Sequence, residues 1–236
     1  MSTVHEPVKV LDIGFVHLVE WMGGDRGVVQ AARVCYKSDG LSLPEKDKKL
    51  VEYLMEHKHG TPFEHSVLKF HVKAPLFVAR QWFRHRMASY NEVSGRYTVL
   101  KDEFYEPEVW RRQDTKNKQG SAGVLDEAKQ ALAKAALKNV QAVSMAAYNT
   151  LLALGVSKEM ARFVLPVNIY TEWYWTVNAR SLMNFLDLRC DAHAQWETRQ
   201  YADVIYRMFA EIMPWTAGAM AKGWKLENYD VLKVEG

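Results

Sequence analysis

Apolar and polar positions alternate most cleanly in SVLKFHVK (66–73), where Leu68, Phe70 and Val72 fall on one face and Lys69, His71 and Lys73 on the other. A period of two with one apolar face predicts a half-buried strand. Residues 8–21 are apolar and β-branched enough for a first strand, and NIYTEWYWTVN (168–178) reads as a further one. Gly23, Gly24 and Gly27 punctuate a turn, and VVQAARVCY from Val28 reads as a short helix. After Pro44, placed where a first helical turn accepts it, EKDKKLVEYLMEH puts Leu50, Val51, Leu54 and Met55 on one face, and Gly60 supplies a stop. Pro75 opens a short helix, LFVARQWFRH; the polar, turn-rich SYNEVSGRYT (89–98) predicts a loop. Residues 111–123 predict a mobile surface connection. Asp126 begins a long Ala-rich helix to about Leu154, stopped by Gly155. Ser157 is expected to cap a short helix closed by Pro166. Asn178 is expected to cap ARSLMNFLDLRC, and Asp191 the helix that runs through residue 213, with Pro214 after it. Strands and helices mix without βαβ alternation, which predicts an α+β fold with a central sheet flanked by helices. No convincing linker appears, so residues 1–236 are expected to form one domain.

Composition narrows the function classes without choosing among them. The 236 residues are 48% apolar and 25% charged, as in an ordinary globular chain. The net charge of +3 is too small to demand nucleic acid as a partner. Aromatics, at 12%, suit either wide core packing or stacking on flat ligands. Cys35 and Cys190 make neither a disulfide framework nor a four-ligand zinc site, no metal is expected, and two cysteines fit a reducing compartment. The first residues lack the form of a signal peptide and no apolar run is long enough to cross a bilayer, so a cytoplasmic protein is expected.

Three clusters carry candidate chemistry. In RHRMASYNEVSGRY (84–97), Arg84 and Arg86 flank His85; guanidinium forks suit phosphate and carboxylate, and the small polar residues Ser89, Asn91, Ser94 and Gly95 let a ligand approach. Glu92 balances the cations or accepts from a ribose hydroxyl. The loop fits a nucleotide; it equally fits a solvated basic turn in which Glu92 pairs with an arginine. HKHGTPFEH (57–65) matches no metal motif and reads as a turn carrying His59 and Thr61. In NARSLMNFLDLR (178–189), Arg180 and Asn184 share a helical face near an N-terminus that favours phosphate, while Arg189 sits where the helix dipole already favours a cation. No GxGxxG and no P-loop occurs. Ser94 has no readable histidine partner to activate it, and Cys190 reads as apolar filler.

The first cluster resembles the flavin-dependent thymidylate synthases, whose signature RHRxxSxNExSxRY stands complete as Arg84, His85, Arg86, Ser89, Asn91, Glu92, Ser94, Arg96 and Tyr97. Similar flanking stretches are TPFEH (61–65), FVARQWFRHR, LP (165–166), TVNARSLMNFLDLR (176–189) and AQWE (194–197). The resemblance covers most of the chain and is weakest over 105–130. It implies methylation of dUMP to dTMP, with methylenetetrahydrofolate as carbon donor, NADPH as reductant and FAD as cofactor. It also implies a homotetramer with active sites between subunits. By similarity, Thr61, Arg84, His85, Arg86, Glu92, Asn178, Arg180 and Asn184 would hold FAD. Gln81, Arg84, the stretch Glu92, Val93, Ser94, Gly95 and Arg96, Arg162 and Arg189 would hold dUMP, with His59 beside flavin and folate. Arg189 is the expected catalytic group, a fixed cation at the uracil N3/O4 edge that stabilises developing charge. Two rivals are a single-stranded nucleic-acid binder stacking bases on Trp173, Tyr174 and Trp175, and a flavoprotein oxidoreductase with another acceptor. Low net charge disfavours the first, and the second leaves Arg189 without a task.

Overall fold

The structure, a computed structural model, describes residues 6–35 and 44–223. Its strands are β1 (Val8–Val10), β2 (Gly14–Met22), β3 (Val67–Pro75), β4 (Ser89–Glu92), β5 (Arg111–Gln113), β6 (Ser121–Val124) and β7 (Tyr170–Asn178). Its helices are α1 (Gly24–Val34), α2 (Pro44–Glu56), α3 (Leu76–Trp82), α4 (Glu127–Ala153), α5 (Lys158–Ala161), α6 (Ala179–Cys190), α7 (Trp196–Ile212) and α8 (Pro214–Gly223). The strand expected at 66–73 is β3, at the centre of an antiparallel five-stranded sheet ordered β1-β2-β3-β7-β4. β7 faces it in register, with Phe70 opposite Trp175 and Val72 opposite Trp173. This is the expected mixed fold, a sheet flanked by helices.

One sheet face makes the core. Phe70, Trp173 and Trp175 are buried there with Trp82 of α3, Phe185 of α6 and Tyr201 of α7. The Trp82 ring meets Trp173 and Trp175 edge-on at 5.2 Å and lies 4.8 Å from Phe185. Edge-to-face packing of this kind adds to the burial of large rings. α3 and α6 are thereby fixed against the same patch of sheet. The aromatic run of β7 divides as a strand must: Trp173 and Trp175 go inward, while Tyr174 points to the other face and stacks on His71 at 4.7 Å.

Several boundaries differ from expectation. The expected first strand is two, β1 and β2, separated by a turn with Leu11 at φ +59°. α1 begins at Gly24 and not at Val28, and its expected end at Tyr36 lies outside the described residues, as do residues 1–5. The reversal after α2 is made by Lys58, at φ +57°, rather than Gly60. SYNE is strand β4 and not loop: Tyr90 faces inward against Phe83 at 4.9 Å, and the polar residues on either side of it suit an edge strand. Residues 111–123 fold back as the β5–β6 hairpin in place of an open connection. Ser157 makes no side-chain cap, and α5 passes into a 3-10 turn at Arg162–Val164 before Pro166. Asp191 does not cap α7: its carboxylate accepts from His193 N at 2.7 Å, and Gln195 precedes the helix. Pro214 does not only end α7 but opens α8, whose first amides are capped from far away, Trp215 N and Thr216 N donating to the Asp25 carboxylate at 2.8 and 3.1 Å.

Ser66 ties the sheet to the start of α6. Its hydroxyl donates to Gly24 O at 2.7 Å and its carbonyl accepts from Ala179 N at 2.8 Å. The β2–α1 turn reaches it through Gly23 at φ +86°, where an added Cβ would lie 2.7 Å from Ser66 Oγ. Gly23→Ala is expected to lower stability by at least about 1–2 kcal/mol from left-handed backbone strain alone. The check is thermal unfolding, with a midpoint several degrees lower; an unchanged midpoint contradicts this role.

Candidate active site

The end of α3 and the last turn of α6 meet above the aromatic core. The chain leaves α3 in a tight turn, His85 N donating to Trp82 O at 3.0 Å. Tyr90 of β4 clamps the turn from below, its hydroxyl donating to His85 O at 2.7 Å. From α6, Arg189 Nε donates to His85 Nε2 at 3.0 Å and Nη2 to Gln81 O at 3.1 Å. The His85 ring also packs edge-on against Phe185 at 4.9 Å. Burial, with the Arg189 charge beside it, pulls the imidazole down to about 4. Near neutral pH His85 is therefore uncharged, with Nε2 the acceptor and the proton on Nδ1.

Above this clasp is a cavity of about 670 Å³. Arg84, Arg86, Arg180 and Arg189 line it, with Asn178, Asn184 and a single carboxylate, Glu64. Arg180 Nη1 and Glu64 Oε1 are 2.5 Å apart. Four guanidiniums against one carboxylate form a pocket of donors with an excess of positive charge, suited to anions such as phosphate. A second cavity of about 290 Å³ adjoins it, sharing Arg180 and Asn184 and adding His59, Gly60 and Phe63. Gly60 makes room for the shared arginine, since a Cβ there would lie 2.6 Å from Arg180 Nε. Thr61, itself exposed, opens the 3-10 turn Thr61–His65 at this edge. The expected cap of α6 is present: Asn178 Oδ1 accepts from Ser181 N at 2.9 Å. That side-chain oxygen and the Ala179 amide are thus already engaged within the chain.

The remaining candidates stand apart, past the other end of β4. Among the described residues Glu92 pairs with no arginine; its Oε1 accepts from Thr171 Oγ1 at 2.7 Å. Val93 N donates to Glu172 O at 2.9 Å. Ser94 Oγ accepts from Arg96 N at 3.2 Å, and no histidine hydrogen-bonds to it among the described residues. Gly95 is buried, with Arg162 Cδ 3.2 Å from where its Cβ would be. Arg96 Nε pairs with Glu159 at 3.1 Å. Glu92, Val93, Ser94, Gly95, Arg96 and Arg162 thus gather in one place, and none lines the cavity of Arg84 and Arg189. Gln81 lies near the clasp, its side-chain amide hydrogen-bonded to Gln195.

Sequence reasoning missed Glu64 and Tyr90 as site residues, although both fall inside stretches it singled out. Cys190 is buried in the core, as expected of a filler. Among the described residues there is no group of three or more metal-ligating side chains, and no helix is long and apolar enough to cross a membrane.

Comparison with known proteins gives one family. Residues 17–215 match the family profile described as Thymidylate synthase complementing protein. The flavin-dependent thymidylate synthase of Thermosipho africanus is 56% identical over 214 residues, covering 91% of this chain and 93% of its own. That of Thermus thermophilus is 54% identical over 213 residues, covering 89% of this chain and 77% of its own. Among solved structures, the UMP/dUMP methylase PolB of Streptomyces cacaoi bound with 5-Br dUMP superposes with a TM-score of 0.82 at 34% identity. It covers 91% of this chain and 97% of its own.

The clasp makes a prediction about protonation. Since the imidazole is depressed in the folded chain, the unfolded chain protonates first as pH falls. The stability His85 contributes is complete above about 6.5 and is lost as pH drops from there toward about 4. Titration of the His85 ring by NMR is expected to give a midpoint near 4 that rises in Arg189→Leu. A midpoint near 6.5 in the unmodified protein contradicts the clasp.

Proposed function

The chain belongs to the flavin-dependent thymidylate synthases, and from that premise we propose that its arginine cavity is the centre at which dUMP is methylated to dTMP with FAD as cofactor. The observation that carries this is the convergence of Arg84, His85, Arg86, Arg180 and Arg189, from two separate signature stretches, on one donor-rich cavity. The residues fit the group. FAD carries two phosphates and a flat ring edged with acceptors; Arg84, Arg86 and Arg180 supply forked donors, and Asn178, Asn184 and Thr61 add polar groups around them, while Glu92, which stands apart in the same chain, would reach the cofactor from a neighbouring subunit. When bound, the reduced flavin supplies the hydride that completes the methyl group.

Arg189 holds the proposed catalytic position. Two of its donors are spent on His85 and Gln81, so the guanidinium cannot swing away, and its charge is fixed at the cavity it lines. A neutral His85 adds no competing charge. A cation fixed in advance stabilises negative charge as it develops on the uracil ring without reorganising, often the largest catalytic contribution. Arg84 and Gln81 would hold the same nucleotide from the end of α3, and His59 would lie beside flavin and folate. Methylenetetrahydrofolate is the proposed carbon donor and NADPH the proposed reductant.

Ser94, Gly95, Arg96 and Arg162, with the backbone at Glu92 and Val93, form the second half of the proposed dUMP site. Their separation from Arg189 is accounted for by assembly: the chain works as one domain in a homotetramer, and each active site takes the Arg189 half from one subunit and the Arg162 half from another. In support, β4 is a sheet edge. α4 also leaves Leu132, Val140 and Val143 exposed along its length. Unpaired edges and rows of apolar side chains call for cover.

The test is reconstitution. The purified protein is expected to take up FAD and turn yellow, to be bleached by NADPH, and to release dTMP when dUMP and methylenetetrahydrofolate are added. UMP serves as the competing substrate, because the PolB neighbour is described as acting on both nucleotides. Arg189→Ala is expected to keep its flavin and lose about 10²–10³ in turnover. A protein that cannot be loaded with FAD contradicts the function; undiminished turnover in Arg189→Ala contradicts the role of that residue.

A further inference from the structure

The clasp at Gln81 is joined to a buried carboxylate by two side-chain amides in series. Glu197, in the first turn of α7, is 4% exposed. Its Oε1 pairs with Arg111 Nη2 of the β5–β6 hairpin at 2.6 Å and accepts from the Tyr105 hydroxyl at 3.4 Å. Its Oε2 accepts from Gln195 Nε2 at 3.0 Å. Gln195 Oε1 in turn accepts from Gln81 Nε2. The backbone carbonyl of Gln81 is the one that receives Arg189.

Glu197 sets the direction of this series. A carboxylate in an ion pair only accepts hydrogen bonds. Gln195 must therefore turn its NH₂ group toward Glu197, which leaves its carbonyl facing position 81. Gln81 must answer with its own NH₂ group, which leaves its Oε1 as the end not engaged within the described residues. A lone amide can present either end. Here a flip at Gln81 or Gln195 sets two acceptors or two donors against each other, at the cost of an unmade hydrogen bond. The residue whose backbone carbonyl receives Arg189, itself only a donor, thus carries a side-chain acceptor of fixed orientation. The two pyrimidines differ at the matching edge: uracil presents O4, N3–H and O2, whereas cytosine has an amino group at C4 and no hydrogen on N3.

We propose that Gln195 and Glu197 are positioning residues that hold the Gln81 carbonyl ready to accept from uracil N3–H, and so select uracil over cytosine. This rests on the reading of Gln81 and Arg189 as dUMP contacts. The hairpin has a part in it, because Arg111 holds the carboxylate that orients both amides.

The test is equilibrium binding of dUMP and dCMP to the FAD-loaded protein by calorimetry, without folate, so that no turnover intervenes. Gln195→Met keeps the side-chain length and removes both bonds; position 195 is exposed and its side chain caps nothing, so the fold does not depend on it. Unmodified protein is expected to prefer dUMP. Gln195→Met is expected to weaken dUMP about tenfold, the loss of one oriented hydrogen bond, and to leave dCMP unchanged. Glu197→Gln, which frees the series to flip, is expected to narrow the same preference. Equal weakening of both nucleotides in Gln195→Met, or unchanged dUMP binding, overturns the proposal. Gln81→Met separates the two ways of failing. If it weakens dUMP while Gln195→Met does not, the orienting series alone is wrong. If it leaves dUMP unaffected, the placement of Gln81 in the dUMP site falls, and the inference with it.

Discussion

Arg189 bonds twice to the end of α3, through Nε to His85 and through Nη2 to the carbonyl of Gln81. Those bonds join the end of one helix to the last turn of another, and both helices rest on the same buried Trp175, through Trp82 and Phe185. The aromatic core therefore sets the distance between α3 and α6, and that distance sets where the guanidinium points. The arrangement costs the protein a half-buried, uncharged histidine, depressed because desolvation and the same cation act on it. In return, the group proposed to stabilise charge on the pyrimidine is oriented before any ligand arrives. Polar groups that cannot relax hold their field better than mobile ones, and each neighbour of Arg189 restricts its freedom further.

The same economy extends outward. Arg84, Arg86 and Arg180 crowd a cavity with one carboxylate for company. Such an excess of positive charge is unfavourable until anions enter, so stability and ligand affinity draw on one interaction. Farther out, the pair of buried Glu197 and half-buried Arg111 adds little to stability by itself, since desolvation offsets much of its attraction. What it contributes is direction, passed through Gln195 to Gln81.

Elements defined by local rules were legible from sequence. β3 announced itself by alternation, α4 by its Ala-rich length and its Asp126 cap, and α6 by Asn178, whose side chain does accept from Ser181 N. Elements that need a distant partner were not. β4 reads as a loop because it is polar, and it is a strand only because β7 offers it a register. α8 is capped by Asp25, 190 residues away from Trp215, and no window along the chain contains both. At the site, residue types identified the anion-binding clusters, and the resemblance gave them a reaction. Neither foretold that His85 would be spent on Arg189, and only the resemblance, through sites expected between subunits, left room for Ser94, Arg96 and Arg162 to gather away from it. The orienting role argued for AQWE had no sequence signal beyond family likeness, because it depends on a hairpin expected to be an open connection.

Arg162 and Arg189 lie apart within one chain, so if both belong to the proposed dUMP site, one chain alone holds no complete site. Subunit complementation tests it most directly. Arg162→Ala and Arg189→Ala chains are prepared separately, each with little activity, then unfolded together and refolded as a mixture with FAD. If active sites form between subunits, some sites in the mixed assembly pair an intact Arg162 half with an intact Arg189 half, and dTMP formation recovers well above either parent. Mixed assemblies that form and bind flavin but show no recovery would contradict the account.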